Sequence, residues 1–423
     1  MTGRPRMPVP PDRHDPSCSS IRCGAGFSIA GSLEEALAEA IAQARGRLDG
    51  PADLAVVFIS AAHVAARAAF EGLAEILGGD PAPVIIGGTV EGVLGGDREQ
   101  ERGPGVVVWL ARLPGAVITP MALEYRQTAD GGTFTGWPAE LDGRWPEGAT
   151  LLLVADPFSF PVDRLIERLE DDQPGVPLVG GMLSGGSAPG ENTLVMNGRT
   201  YDGGGVGVLV GGGVRVRAVV SQGCRPIGRP FVITRAEENL IHELGGRPAL
   251  EQLREIFGTL DESDQRLVRH SLHLGRVASE YQESFEQGDF LVRNVIGADP
   301  ESGVIAVADT VRVGQTVQFH VRDAQTAHED LVGLLDRAAA GGSPAGALVF
   351  TCNGRGRRLF DEPHHDASVL QRHFAQLPAA GFFAQGEIGP IGNRNCLHGF
   401  TASIALFEQA EGGGPVRAAR DPA

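Results

Sequence analysis

The sequence predicts an α/β fold: two related domains of mixed, largely antiparallel sheets covered by helices. Three observations lead there. An order of strand, helix, strand, glycine-rich loop and strand occurs three times along the chain. At 423 residues the chain exceeds the length at which one hydrophobic core stops growing. The composition, 42% apolar with 60 glycines but only 6% aromatic, suits close backbone approaches rather than packing of large rings.

In the first unit Ser32 and Glu35 have capping-box spacing ahead of LEEALAEAIAQARGRL, whose apolar residues recur at helical spacing. ADLAVVFIS reads as a strand, and a helical stretch runs from it to about Leu77. PVIIGG, a glycine-rich stretch and GVVVWLARL complete the unit. The second copy runs ATLLLVADPF as a strand, PVDRLIERLED as a helix with proline in its first turn, then VPLVGG, the loop MLSGGSAPGENTL and GVGVLVGG. In the third, AGALVFTCNG, DASVLQRHFAQL, AAGFFAQG, GEIGPIGNRNCLHG and GFTASIALF repeat the order. Residue identity is mostly lost between copies, which makes this a weak internal repeat. The second strand ends on Gly87-Gly88 in one copy and Gly180-Gly181 in the next, and Gly386 alone takes that place in the third. Glycine there supplies the positive φ and close approach that a connection between adjacent strands needs.

Between the second and third copies the pattern changes. VRVRAVVSQGCRPIG and PFVITRAEENLIHEL read as strands and RPALEQLREIF as a helix. Residues 288–323 read as an antiparallel meander with turns at ADPESG and RVGQ. TAHEDLVGLLDRAAA is a helical lead-in to the third copy. The domain boundary falls near Gly245–Gly246, giving domains over 21–245 and 246–409, and the segments 1–20 and 410–423 have disorder-prone compositions.

Charge and composition exclude several function classes. Net charge is −17, which opposes nucleic-acid binding. All 36 basic residues are arginine. Without lysine there is no P-loop lysine, no Schiff-base lysine for pyridoxal phosphate and no kinase strand lysine. The cysteines at 18, 23, 224, 352 and 396 are odd in number and scattered, unlike a disulfide framework. No apolar run approaches 18 residues and the first residues lack a hydrophobic signal core, so the expectation is a soluble cytoplasmic protein that does not engage membranes. H-E-x-x-H, C-x-x-C, Walker A and the nucleophile elbow are all missing, and Pro363-His364-His365-Asp366, the nearest thing to a metal motif, fits a helix start better. No metal and no cofactor is expected.

Six segments carry a more specific signal: DPFSFPVD (156–163), SQGCRPIG (221–228), GDFLVRNVIGADP (288–300), GQTVQFHVRDAQTA (314–327), CNGRGRRLF (352–360) and GEIGPIGNRNCLHGF (386–400). In this order they resemble the FIST family, whose proteins pair a FIST N with a FIST C domain, over about residues 30–407. The resemblance implies a sensory module that binds a small molecule, such as an amino acid, and works with a signalling partner. Cys396 stands where many relatives carry an aromatic residue, and Gly88 where a cysteine is familiar in the family.

The polar clusters in those segments supply the candidate site. Arg355 and Arg358, at the end of a strand, could clamp a carboxylate, with Asn353 adding an amide contact; salt bridges to Asp361 and Glu362 are the alternative. Glu387 follows an apolar strand, so its carboxylate needs a partner, and the Arg355–Arg358 cluster is the expected one. Asn393, Asn395 and His398 share its loop, while Gln222 and Arg225 flank Cys224 in a second polar segment. These nine residues are the expected ligand-binding set. An enzyme reading remains open beside it: Cys396 or Cys224 as nucleophile with His398, or Glu387 as acid or base, in a hydrolase or lyase. A protein-interaction scaffold is the third reading.

Overall fold

The computed structural model describes residues 20–410 apart from 129–130, 144, 147, 281–283 and 286–287. All but Ser20 and Ala410 of the two segments of disorder-prone composition lie outside the described residues.

Three copies of one unit account for most of the chain. The first contains β1 (Arg22–Ser28), α1 (Leu33–Arg45), β2 (Leu54–Ser60), α2 (Ala66–Leu77), β3 (Val84–Val90), β4 (Val93–Gly95), β5 (Arg98–Gln100) and β6 (Val106–Arg112). The second contains β7 (Ala116–Arg126), β8 (Thr133–Thr135), β9 (Thr150–Ala155), α3 (Val162–Asp172), β10 (Leu178–Met182), β11 (Leu194–Met196), β12 (Arg199–Tyr201) and β13 (Gly205–Gly212). The third starts with β14 (Val214–Gln222). It is then interrupted by β15 (Cys224–Glu237), β16 (Leu240–Leu244), β17 (Arg247–Pro248), α4 (Ala249–Thr259), α5 (Glu262–Ser271), β18 (Leu272–Val277), β19 (Phe290–Ala298), β20 (Ile305–Val307) and β21 (Thr316–Arg322). It resumes with α6 (Ala324–Ala340), β22 (Gly346–Cys352), α7 (His365–His373), β23 (Ala379–Ala384), β24 (Glu387–Ile391), β25 (Arg394–His398) and β26 (Thr401–Gln409).

The repeat is exact in its pairing. In each unit the two strands that flank a helix are parallel neighbours, β2 with β3, β9 with β10 and β22 with β23. The closing strand returns antiparallel beside the first of them. Register aligns Val57 with Gly87, Leu153 with Gly180 and Val349 with Gly381. A Cβ on any of these three glycines would come 1.8 Å from the carbonyl oxygen of its register partner, so glycine is obligatory in all three copies. This corrects the assignment of the third copy: the matching glycine is Gly381, inside β23, and Gly386 lies beyond the strand. Phe382 takes the place of the second glycine, and an exchange of glycine for phenylalanine hides the motif from inspection.

The glycine-rich loops are β-hairpins, and each pairs with another unit. Hairpin β4–β5 joins the third unit's sheet at β23, β11–β12 joins the first unit's sheet at β3, and β24–β25 joins the second unit's sheet at β10. The result is a closed cycle of exchange among three sheets. Two-residue turns at Gly96-Asp97, Asn197-Gly198 and Gly392-Asn393 close the hairpins. Gly96 (φ 60°), Asn197 (φ 50°), Gly198 (φ 78°) and Gly392 (φ 57°) supply their left-handed backbone.

The three sheets face one another across a shared core in which Phe58, Val154, Phe350 and Phe382 are buried. Helices cover the outer faces: α1 and α2 the first sheet, α3 the second, α6 and α7 the third. The inserted segment forms a fourth, seven-stranded sheet with α4 and α5 packed on it. The boundary expected at Gly245–Gly246 falls in the turn between β16 and β17, within that sheet. Among the described residues no helix is long and apolar enough to cross a membrane.

Candidate functional site

Three residues beyond the aligned register, the units carry Ser60, Asp156 and Cys352, all buried. Ser60 Oγ donates to the carbonyl of Gly103 at 2.7 Å. Asp156 accepts from Ser159 Oγ at 2.6 Å and from Asn192 Nδ2 at 2.9 Å. Cys352 Sγ accepts from the N–H of Gly354 at 3.4 Å. In the third unit alone this position adjoins a buried guanidinium and a buried glutamate, Arg355 and Glu387, both 0% exposed.

Arg355 donates from Nε and Nη2 to the two carboxylate oxygens of Asp366, each at 2.8 Å. Asp366, in the first turn of α7, also accepts from Thr351 Oγ1 at 2.5 Å and from His365 Nδ1 at 2.9 Å. Burial alone would raise the Asp366 carboxyl, but the Arg355 guanidinium holds it well below the usual range. Glu99 arrives from the exchanged hairpin β4–β5 and accepts from the N–H of Ala367 at 2.9 Å. Burial, then the charge of Asp366, pushes Glu99 up to about 8. Glu387 Oε2 accepts from the N–H and hydroxyl of Thr401, at 3.0 and 2.8 Å. Glu387 Oε1 and Arg355 Nη1 are sealed from solvent and have no hydrogen-bond partner. The expected Arg355–Glu387 ion pair is therefore not formed; Asp366, which lies eleven residues on and meets Arg355 only through the fold, takes the guanidinium instead.

Burial pushes the Glu387 carboxyl up to about 8 despite the two bonds from Thr401. Relative to an ordinary value of 4.5, the folded state holds this proton more tightly than the unfolded state does. Its contribution to stability is full below pH 4.5 and is lost as pH rises through 8. Chemical denaturation across that window should show stability falling by up to ~1.4 kcal/mol per pH unit for each such proton. Glu387→Gln should remove one proton's share of the slope, leaving that of Glu99; an unchanged slope would contradict the assignment.

The other expected ligand-binding residues scatter. Arg358 pairs with Glu91 at 2.7 Å on the surface rather than with Asp361 or Glu362, and donates to the carbonyl of Asn353. Asn353 is half-buried beside it, and Asn393 is exposed in the hairpin turn. Asn395 docks the exchanged hairpin on the second unit, accepting from the N–H of Leu178 and donating to the carbonyl of Val176, both at 2.8 Å. His398 Nε2 bonds the carbonyl of Gly389 across the hairpin at 2.9 Å, and burial lowers its pKa to about 4. Gln222 donates to the carbonyl of Phe290 at 2.9 Å. Arg225 ties β15 to α6 and α5 through Asp323, at 3.0 Å, and Asp264. Burial raises the thiols of Cys352, Cys224 (to about 12) and Cys396 (to about 11), and no cysteine sulfur among the described residues bonds a histidine. That geometry offers no activated nucleophile.

A cleft of about 1310 Å³ opens where α3 and β8 face the inserted sheet and the exchanged hairpin β24–β25. Trp137 and Phe134 form part of one wall, and Asn395 and Cys396 bring the hairpin into another. Arg276 and Arg293 converge on one carboxylate, Asp309, at 3.6 and 3.4 Å. Arg293 also donates to the carbonyl of Leu397 at 3.1 Å. Arg276 Nε has no partner, and neither has Asp309 Oδ2 within hydrogen-bonding geometry. Three further cleft arginines are engaged: Arg164 donates to the carbonyl of Gly131, Arg168 to Asp172 and Arg394 to the carbonyl of Ala278, while Arg312 also lines the cleft. From the facing wall Asp163 joins this group, its carboxyl raised by burial while Arg293 opposes the rise. None of Asp163, Arg276, Arg293 and Asp309 is among the residues expected from sequence. The available signal was a lone arginine inside each of the apolar strands LHLGRV and FLVRNV, where a charge needs a reason.

Fold and cleft together define an α/β module of three concatenated units whose N-terminal and C-terminal parts share a polar cleft. Residues 53–247 match the FIST N domain and residues 249–390 the FIST C domain. The chain belongs to the FIST family, whose domains are of the sensory type. It is similar to the uncharacterized protein Mb0898c of Mycobacterium bovis, with 44% identity over 390 residues, 92% of this chain and 99% of the relative. It is likewise similar to the uncharacterized protein Rv0628c of Mycobacterium tuberculosis strain H37Rv, with 44% identity over 391 residues, 92% of this chain and 100% of the relative.

Proposed function

We propose that this chain is a cytoplasmic sensory protein that binds a small carboxylate, such as an amino acid, in the cleft between α3 and the inserted sheet, without chemistry, and signals to a partner protein. The observation that carries this reading is the Arg276–Asp309–Arg293 group at a cleft between the FIST N and FIST C parts. Two guanidiniums share the single carboxylate of Asp309, which leaves positive charge to attract a carboxylate, and ligand sites favour such junctions. Asn395, from the candidate set, lies on the cleft wall, whereas Arg355 and Glu387 do not line it. The unpaired thiols of Cys23, Cys224, Cys352 and Cys396 suit a reducing compartment.

A thermal-shift screen of amino acids and small carboxylates tests the reading. The expected result is a saturable rise in Tm for at least one compound, worth about 2.7 kcal/mol at a hundredfold excess over Kd. Arg276→Gln should abolish the response while leaving the ligand-free Tm nearly unchanged. No stabilisation by any compound, or an undiminished response in Arg276→Gln, would count against it.

A further inference from the structure

The cleft makes no use of a row of side chains linking α6 to the buried guanidinium. His328 on α6 is half-buried, and its Nδ1 lies 2.9 Å from Nε2 of His365. His365 Nδ1 lies 2.9 Å from Asp366 Oδ1, and Asp366 holds Arg355 at 2.8 Å. Exposure falls inward along the row, to 8% at His365, 3% at Asp366 and 0% at Arg355. The Phe360 ring stacks on His365 with centroids 3.4 Å apart, which fixes the plane of the imidazole.

The row has a direction. An ionised carboxylate only accepts, so His365 carries its proton on Nδ1 and presents a lone pair at Nε2. His328 must then donate from Nδ1, which leaves its Nε2 as a free acceptor at the outer end. Each bond follows from the one inside it.

We propose that His328 and His365 form a proton-uptake site that makes the buried Arg355–Asp366 centre sensitive to pH. A proton from solvent adds to His328 Nε2, the Nδ1–H bond of His328 breaks, and an N–H bond forms at His365 Nε2. The row gains one proton and no electrons move. The His365 imidazolium then shares Asp366 with Arg355, and two cations on one carboxylate loosen each other. Arg355 already has Nη1 without a partner, and Glu387 nearby has an oxygen without one.

The charged groups facing the pair are Asp366 and Arg355, Glu99 and Glu101 from hairpin β4–β5, Glu329 and Asp330 on α6, and Arg372 on α7. Burial, then the neighbouring His365 and Arg372, lowers the pKa of His328 below its ordinary 6.5. Uptake therefore belongs to acidification, and the stability held by neutral His328 is present above 6.5 and lost as pH falls below it.

Long-range ¹⁵N–¹H correlation spectra of the histidines and of Arg355 in the full chain, taken from pH 8 to pH 5, test the proposal. The expected result at pH 8 is the Nδ1–H tautomer for both rings. On acidification both should titrate with a common midpoint, and the Arg355 Nε resonance should move with them. His328→Asn keeps a donor towards His365 but has no basic nitrogen to take up a proton, so the Arg355 Nε response to acidification should be lost or clearly reduced. An Nε2–H tautomer at His365 at pH 8, separate midpoints, or an Arg355 response in His328→Asn matching the wild type would overturn it. No ligand enters the measurement, so its outcome is independent of the cleft reading.

Discussion

Arg355→Met is expected to cost about 3–5 kcal/mol of folding stability, read as a lower denaturation midpoint at unchanged slope. The guanidinium and the Asp366 carboxylate are both sealed from solvent. Removing the cation leaves a carboxylate with its desolvation uncompensated, and also strips the ring of Phe360 of the guanidinium lying 5.3 Å from its centroid. The size of the loss comes from the orphaned Asp366 rather than from the net worth of the pair. Arg355→Met combined with Asp366→Leu should therefore be less destabilised than Arg355→Met alone, because no buried charge remains. A single variant that loses less than about 1 kcal/mol, or a double variant worse than the single, would contradict the role assigned to the pair.

Phe382→Ala should be comparably severe, at about 3–5 kcal/mol. Its ring sits where the three sheets meet, 4.5 Å from the centroid of Phe58 in the first unit and 5.5 Å from that of Phe350 in its own. Towards the second unit it fills the space left by Gly181, where an added Cβ would lie 3.1 Å from the Phe382 Cζ. That arrangement makes a second substitution change sign. Gly181→Ala in the wild type forces the ring to shift and is destabilising, whereas in Phe382→Ala it fills part of the cavity and should recover stability. Thermal or denaturant unfolding of the four variants completes the cycle, and simple additivity would show that the two side chains do not share the space.

The repeat was readable because each copy writes its strands as apolar runs and its helices at helical spacing with caps such as Ser32, whose hydroxyl accepts from the N–H of Glu35 at 3.5 Å. The hairpin turns also had local signals, above all Asn197-Gly198. What no local pattern carries is which sheet a hairpin joins. Leu194 opposite Gly88 and Ile388 opposite Gly180 are pairings across a hundred and two hundred residues respectively, decided by the assembled core. The α5–β18 segment was missed because its helix is mostly polar, with only Val268 buried. At the site, Glu387 and Arg355 announced themselves as charges beside apolar strands, and both prove central to the buried centre. Their partners did not: Asp366 looked like part of a helix start, and Arg276 was hidden within a strand whose neighbours gave no reason to expect a cleft.

The cyclic exchange of hairpins bears on how the chain leaves the ribosome. The first sheet stays incomplete until residue 201 has emerged, since β12 forms its last strand. The second waits for Arg394–His398, and hairpin β4–β5, made early, has no docking edge until Ala379–Ala384 is synthesised. Neither domain named by the sequence can therefore finish folding while the other is unmade. Through most of translation the nascent chain displays an open sheet edge and an undocked hairpin, a period in which chaperones or neighbouring chains can reach it. Synthesis of β24–β25 and β26, Glu387 to Gln409, closes the ring, and truncation ahead of them should affect the earliest part of the protein as much as the last.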